Sequence, residues 1–479
     1  MAEQLHGKRG AIRPADGARV ATRIAHHRLD GPERREGSEP LADSEVSRCA
    51  SAGDPGAARR QIVVLGAGFA GLNAANALRR FDADVTVLDK NNYHTFQPLL
   101  YQVSTGYLPP EEVGAALRAV FRRQSNVTVR VSELTQVNWA TGVLRCRDGS
   151  TVGFDYLILA AGAETNFFGV PGIREHGWPL YTLTDAVRLR RHLLSTLERV
   201  AQNAGPGCGQ ITIVVVGGGP TGVETAGALT SMAHEVVGPV INITVTLVEA
   251  GPRLLSGFSP HSSQRALIDL CRRGVDVRLN QSVKAADAGG VSLSGGERIE
   301  TNTIIWAAGV QASGLSRALG LELNQRGQIL VDPQLRVPNH PNVFAAGDLA
   351  AITPAPHGRP LPMLAPVAIQ TGRHAGDQVA RLIEGQPLTA FHYRDKGLMA
   401  VLGRGDAVAE LPLFPGAAGR YRLRFGGVVA WLLWLGVHII YLISIRNRLQ
   451  VLIDWAWSYC TSRGAGAILL EPPDEPPRH

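Results

Sequence analysis

The sequence predicts an α/β protein: two parallel sheets, each covered by helices on both faces, followed by an apolar helical C-terminus. Three observations carry this. Apolar β-branched runs end in glycine-rich turns and lead into Ala/Leu helical patterns, in QIVVLGAGFAGLNAANALRR followed by DVTVLDK and again in ITIVVVGGGPTGVETAGALTSM followed by INITVTLVEAG. Continuously apolar strands alternating with helices imply a parallel sheet buried on both faces. Glycine supplies 54 of the 479 residues, well above the usual share of about 7%, which favours tight turns and close backbone approach to ligands. Hydrophobic residues make up 45% and charged residues 19%, which excludes a wholly disordered chain. At roughly 150 residues per domain the length allows about three domains.

Taken in order, residues 1–60 carry 11 Arg/Lys and 9 Asp/Glu without helical or strand periodicity. They lack the apolar core of a secretory signal and are too acidic for an Arg-rich targeting peptide, so 1–58 is expected to be a disordered extension. The net charge of +7 permits attraction to anionic lipid without demanding it, and no nucleic-acid partner is expected. Cys49, Cys146, Cys208, Cys271 and Cys460 are widely scattered, with no CxxC, zinc or iron–sulfur spacing. They read as reduced thiols, and no metal site is expected.

Gly66, Gly68 and Gly71 form G-x-G-x-x-G directly after a strand. The first glycine permits the turn, the second lets backbone approach a pyrophosphate, and the third lets helix pack on strand. The pyrophosphate then rests on the helix N-terminus. Asp89 ends the next strand, where a carboxylate accepts from a ribose hydroxyl. Gly217, Gly219 and Gly222 repeat the arrangement, with Glu249 at the following strand end. One such match is weak, but two complete copies with strand, helix and terminal acid predict two Rossmann-like dinucleotide-binding domains. DYLILAAGA (155–163) and NTIIWAAGV (302–310) bracket the second copy and read as crossings between an outer domain and an inserted one. NVFAAGDLA (342–350) adds a strand and then Gly347-Asp348, an acid placed to hold a polyol chain such as ribitol.

On these residues the chain resembles the two-dinucleotide flavoproteins, and within them the type II NADH:quinone oxidoreductases. The resemblance rests on NNYHTFQPLLYQVSTG (91–106), GGGPTGVE (217–224), WAAGV, VFAAGDLA, LAPVAIQTGRHA (364–375), DKGLMAVLGRGDAVAE (395–410) and the apolar segment 430–459. It implies non-covalent FAD at Gly66, Gly68, Gly71, Asp89, Lys90, Gly162, Gly347 and Asp348, and NADH at Gly217, Gly219, Gly222, Glu249 and Gly309. It also implies quinone at Phe96, Leu100, Tyr101, Gln102, Pro366 and Gln370. The implied domains are an FAD-binding domain in two parts (59–180 and 305–388), an NADH-binding domain (181–304), a membrane-anchoring region (389–465) and a polar tail (466–479). Two departures stand out: Pro366 where the family commonly has Gln, and Ala228 where it often has Glu.

Glu224 is expected to face the nicotinamide, orienting it or relaying a proton; as a plain helix N-terminal acid it would contribute about 0.3–1 kcal/mol. Gln370 frames a quinone head group or simply satisfies backbone groups, and Lys396 delivers a proton or is a solvated surface lysine. Glu249 favours NADH over NADPH, while Arg253 keeps the phosphate-bearing nucleotide open. No cysteine falls in 50–145 or 272–459, so no cysteine pair sits beside the flavin and electrons must leave directly to an external acceptor.

Phe425–Ile445 runs 21 residues without an ionised side chain. As one helix it would measure about 31 Å, enough to span. Arg420, Arg422 and Arg424 before it, Arg446 and Arg448 after it, and Trp455, Trp457 and Tyr459 beyond favour helices lying in the plane of an anionic leaflet; a span and a buried core helix are the alternatives. The expected protein is therefore an enzyme on the cytoplasmic face of the cell membrane, with a homodimer as an expected assembly. It oxidises NADH through FAD and reduces quinone without proton pumping. Its rivals are a reductase of a soluble acceptor such as ferredoxin and a membrane-bound redox sensor without turnover.

Overall fold

The computed structural model describes residues 59–203, 209–236, 241–353, 360–413 and 422–461. The expected extension 1–58 and tail 466–479 lie outside the described residues. Two five-stranded sheets organise the rest, and every strand pairing within them is parallel. The first has the order Val343–Ala345, Tyr156–Leu159, Arg60–Leu65, Ala83–Asp89, Val127–Val131. The second has the order Gly177–Pro179, Ile304–Trp306, Gly209–Val216, Ile241–Val248, Val275–Arg278. Their central strands are apolar on both faces because both faces are covered: Ile62, Val64, Val87, Val214 and Val215 are all fully buried.

The chain leaves the first sheet after Leu159 and returns to it only at Val343, so the second sheet is inserted within the first. The two crossings pair as an antiparallel ribbon, Ala163–Thr165 with Val310–Ala312, which closes the ends of the insertion on each other. The second sheet takes in Gly177–Pro179 and all of Ile304–Trp306, strands at and beyond the edges of the 181–304 expected for that unit.

Helix Phe69–Ala77 follows the first fingerprint and crosses helix Ala365–Ile383 at backbone contact. A Cβ at Gly372 would lie 2.0 Å from the Ala70 carbonyl oxygen, and one at Gly376 would lie 2.6 Å from that of Ala74. Helix Pro220–Val236 presses on strand Leu398–Gly403 in the same way, Gly227 facing the Leu402 carbonyl. That strand pairs with Asp406–Pro412 and then Arg422–Gly426 in an antiparallel sheet.

The apolar C-terminal run is not one helix. Helix Gly427–Tyr441 has 15 residues, about 22 Å, and Leu442 turns to extended backbone before helix Ile445–Thr461 begins. Among the described residues no helix is long and apolar enough to cross a membrane, and 425–445 does not form the single helix on which the spanning alternative rested. The break is held by Arg448, whose guanidinium donates to the carbonyls of Leu442 at 2.7 Å and Ile440 at 2.7 Å and so caps the first helix. Trp434 and Ala430 face inward, while Val428, Val429, Leu432, Ile440, Ile445, Leu449, Ile453 and Trp457 are exposed.

Candidate active site

Both fingerprints have the same geometry. Gly66 and Gly217 adopt φ of 95° and 112°, and a Cβ on either would lie within 2.4 Å of a carbonyl oxygen on the crossing strand, of Ala160 or Ala307. Gly71 and Gly222 each face the carbonyl oxygen of their own first glycine. Gly68 and Gly219 face nothing within 4 Å. The turn and packing glycines are thus required by the protein itself, whereas the middle ones front open space.

The terminal acids also match. Asp89 accepts from the N–H of Ala67 at 2.6 Å and of Asn91 at 2.7 Å; Glu249 accepts from the N–H of Gly218 and of Gly251, at 2.5 Å and 2.6 Å. Each carboxylate clasps its glycine loop and keeps further lone pairs for a ribose. Burial raises the Asp89 pKa, with the Asn91 and Ala67 amides opposing. Lys90 is exposed beside it, and Gly162 and Gly309 adopt φ of 70° and 141° at the two crossings.

Asp348 follows Gly347, which has φ 68° and donates its N–H to Thr371 Oγ1 at 3.0 Å. Burial pushes Asp348 up to about 6, and a hydrogen bond from Tyr181 opposes this. Its Oδ1 is buried without a partner. A buried orphan acceptor is costly unless something donates to it, and a hydroxyl-bearing chain laid from the Gly66 loop would do so. These residues therefore fit a flavin dinucleotide. Tyr181 carried no sequence signal.

Glu224 lies in helix Pro220–Val236, is buried, and accepts from the Val401 N–H at 3.2 Å. Burial pushes its carboxyl up to about 8. It lines a cavity of about 50 Å³ with Tyr101, Gln102, Ala228, Val401 and Trp455. The Trp434 indole N–H approaches Glu224 without making a hydrogen bond to it. Gln102 donates to the Tyr101 hydroxyl at 3.0 Å and accepts from the Trp455 indole at 2.8 Å. Trp455, expected at a lipid interface, is instead buried, whereas Trp457 is exposed; the side chain of Tyr459 lies outside the described residues. Rings in edge, stacked or tilted contact run from Phe69 through Phe96, His438 and Trp434 to Trp455, joining the first fingerprint helix to the C-terminal helices.

Of the residues expected around quinone, Tyr101 and Gln102 share the cavity with Glu224, and Phe96 and Leu100 are buried beside them. Pro366, Gln370 and Lys396 are not in its lining. Gln370 uses its amide on backbone: Nε2 donates to the carbonyls of Pro366 at 3.1 Å and Arg394 at 2.9 Å, and Oε1 accepts from Arg394 N–H at 3.0 Å. Lys396 is exposed. Of the five flanking arginines, Arg448 caps a helix and Arg422 pairs with Asp395 at 2.7 Å. Arg424 and Arg446 are exposed, and Arg420 lies outside the described residues.

Two glycine fingerprints on interleaved parallel sheets are the frame of the pyridine nucleotide-disulphide oxidoreductases, and the profile of that family matches residues 60–372. The profile of the NDH2 C-terminal domain matches residues 396–464. The chain is 37% identical to the type II NADH:quinone oxidoreductase NdhA of Mycobacterium tuberculosis over 445 residues, 87% of this chain and 92% of that protein. It is 31% identical to the type II NADH:quinone oxidoreductase of Staphylococcus saprophyticus, covering 73% of this chain and 89% of that one. The chain belongs to the type II NADH:quinone oxidoreductases. In fold it is similar to a structure of NDH2 from Plasmodium falciparum in complex with NADH, with a TM-score of 0.75 and 21% identity over 86% of this chain and 100% of that one.

Proposed function

We propose that this protein oxidises NADH and reduces a membrane quinone without pumping protons, working through FAD held at the first fingerprint. The observation that carries the reading is the cavity in which Glu224, from the second fingerprint's helix, meets Tyr101 and Gln102 of the first unit and Trp455 of the C-terminal helix. FAD, when bound, supplies the two-electron acceptor for NADH and the donor for quinone.

The residues supply binding and electrostatics. The Gly66 loop and the N-terminus of helix Phe69–Ala77 cradle a pyrophosphate, and Asp348 Oδ1 accepts from a ribitol hydroxyl. Glu249 accepts from the adenosine ribose and repels a 2′-phosphate, so NADH is preferred over NADPH. Glu224 keeps its proton at neutral pH and can donate a hydrogen bond into the cavity. The buried lining of Tyr101 and Trp455 keeps water away from the acceptor. Gln370 acts by tying its helix to residue 394, and Lys396 stays in solvent.

Ile445, Leu449, Ile453 and Trp457 form an exposed stripe at four-residue spacing, and Val428, Val429, Leu432 and Ile440 are exposed on helix Gly427–Tyr441. Exposed apolar side chains on two successive helices suit helices lying on the inner leaflet, with the exposed Arg424 and Arg446 available to its anionic head groups. Detergent-purified protein tests the whole reading. It should release about one FAD per chain and consume NADH steadily with added quinone. Stoichiometric FMN, turnover with ferredoxin alone, or flavin reduction without turnover would overturn it.

A further inference from the structure

Phe168 combines three unusual properties. Its backbone is left-handed at φ 50°, a conformation that L-residues with bulky side chains rarely adopt. Its side chain is 61% exposed. Its ring lies against the backbone of Gly309, where an added Cβ would sit 3.4 Å from Phe168 Cζ.

The surroundings impose this pose. Asn166 Oδ1 accepts the Phe168 N–H at 2.8 Å, an Asx turn that tolerates the left-handed residue. The Asn166 N–H donates to the Gly309 carbonyl at 3.1 Å, and the Trp306 indole donates to the Asn166 carbonyl at 2.8 Å. The neighbouring Phe167 ring stacks on Trp306, and the Arg174 guanidinium lies 4.6 Å from its centroid. Phe167 is therefore consumed in packing, while Phe168 is turned outward. Strain that the surroundings over-determine concentrates at ligand sites.

Sheet order says which ligand group comes here. In the second sheet Gly209–Val216 lies between Ile241–Val248 and Ile304–Trp306. A dinucleotide lies across the carboxyl ends of such strands with its pyrophosphate on the central glycine loop. Glu249, ending the strand on one side, fixes the adenosine half there. The nicotinamide half then lies on the other side, over the Ala307–Gly309 turn where Phe168 is held. We propose that Phe168 is a substrate-binding residue, its ring forming the flat apolar surface against which the nicotinamide riboside of NADH packs. This rests on reading the second fingerprint as the NADH site. Aromatic faces favour such offset stacking, and the missing side chain at Gly309 lets the Phe168 ring settle against the turn.

The test uses the holoenzyme and three variants: Phe168→Ala, Phe168→Gly and Phe168→Tyr. Glycine accepts the left-handed φ without strain, so that variant separates loss of the ring from loss of the turn. ADP-ribose, which lacks only the nicotinamide, probes the rest of the dinucleotide, so the comparison isolates the contact to the nicotinamide ring. The Ala and Gly variants should raise KM for NADH at saturating quinone at least fivefold. Their inhibition constant for ADP-ribose should stay within twofold of the parent, and Phe168→Tyr should restore the parent KM. An unchanged KM in Phe168→Gly overturns the proposal, as does a parallel rise in KM and in the ADP-ribose constant. Failure of ADP-ribose to compete with NADH in the parent enzyme would instead remove the NADH reading of the second fingerprint.

Discussion

The indole N–H of Trp455 donates to Oε1 of Gln102 at 2.8 Å across 353 residues of chain. The bond seats the last described helix on the first unit and orients an amide in the cavity. Trp455→Phe keeps a buried aromatic ring but removes the donor together with the indole's five-membered ring. Leaving a buried acceptor unpaired costs about 1–3 kcal/mol, so chemical denaturation should register a loss of that order. KM for a long-tailed quinone should rise, while NADH oxidation by a small water-soluble acceptor holds. No change in either stability or quinone KM would show that the contact is incidental.

Glu224 makes a prediction about pH. Its folded pKa, about 8, lies above the ordinary value of 4.5 because the group is buried. Between those values the folded state holds a proton that the unfolded chain has released, so stability falls as pH rises through this window and levels off above it. Quinone-dependent turnover should decline above pH 8 as the carboxyl ionises. Glu224→Gln should flatten the stability trend between pH 5 and 9 and remove the alkaline limb of turnover. Urea midpoints and initial rates across that range check both.

A second buried carboxyl governs the seating of the C-terminal helix. Burial, then the neighbouring Asp454, push Glu112 up to about 8, and Asn447 collects the carbonyls of Glu111, Glu112 and Gly114 at the same contact. Above pH 8 an ionised Glu112 opposes Asp454. Hydrogen exchange over Ile445–Thr461 should then accelerate beyond the intrinsic pH effect, and Glu112→Gln should suppress the excess. Equal exchange in both proteins at pH 9 would refute the link.

The fingerprint glycines separate cofactor loss from fold loss. A side chain at Gly68 meets nothing within 4 Å, whereas one at Gly71 would lie 1.7 Å from the Gly66 carbonyl oxygen. Gly68→Val should yield a folded protein that holds no flavin. Gly71→Val should fail to accumulate as folded protein. Circular dichroism beside the flavin spectrum distinguishes the two; flavin-loaded Gly68→Val would contradict a pyrophosphate at that loop.

Leu432, Leu449 and Ile453 are 56%, 56% and 64% exposed, so changing all three to Ser should leave the fold intact. Each buried CH₂ contributes about 0.8 kcal/mol to insertion, and the triple variant should lose flotation with anionic vesicles. High salt alone should release the parent protein poorly, because screening weakens only the terms from exposed arginines such as Arg424 and Arg446. Undiminished flotation of the variant would place the membrane contact elsewhere.

What the sequence determined by itself is local chemistry. The turn glycines, the strand ends at Asp89 and Glu249 and the parallel character of both sheets follow from short strand–turn–helix units, in which neighbours in sequence are neighbours in space. The surroundings of Glu224 do not. Its backbone donor Val401 lies 177 residues away, and Gln102 and Trp455 come from opposite ends of the described chain. Gln370, whose motif suggested a quinone ligand, had a backbone partner in Arg394 that no local pattern announces. Composition made the apolar C-terminal run continuous; the Arg448 guanidinium on the Ile440 and Leu442 carbonyls ends one helix and lets the next begin. An apolar residue such as Trp455 or Trp457 carries the same hydrophobic drive wherever it is buried. Only tertiary packing decided that one lines a buried cavity and the other faces outward, because burial depends on what else in the chain arrives to cover it.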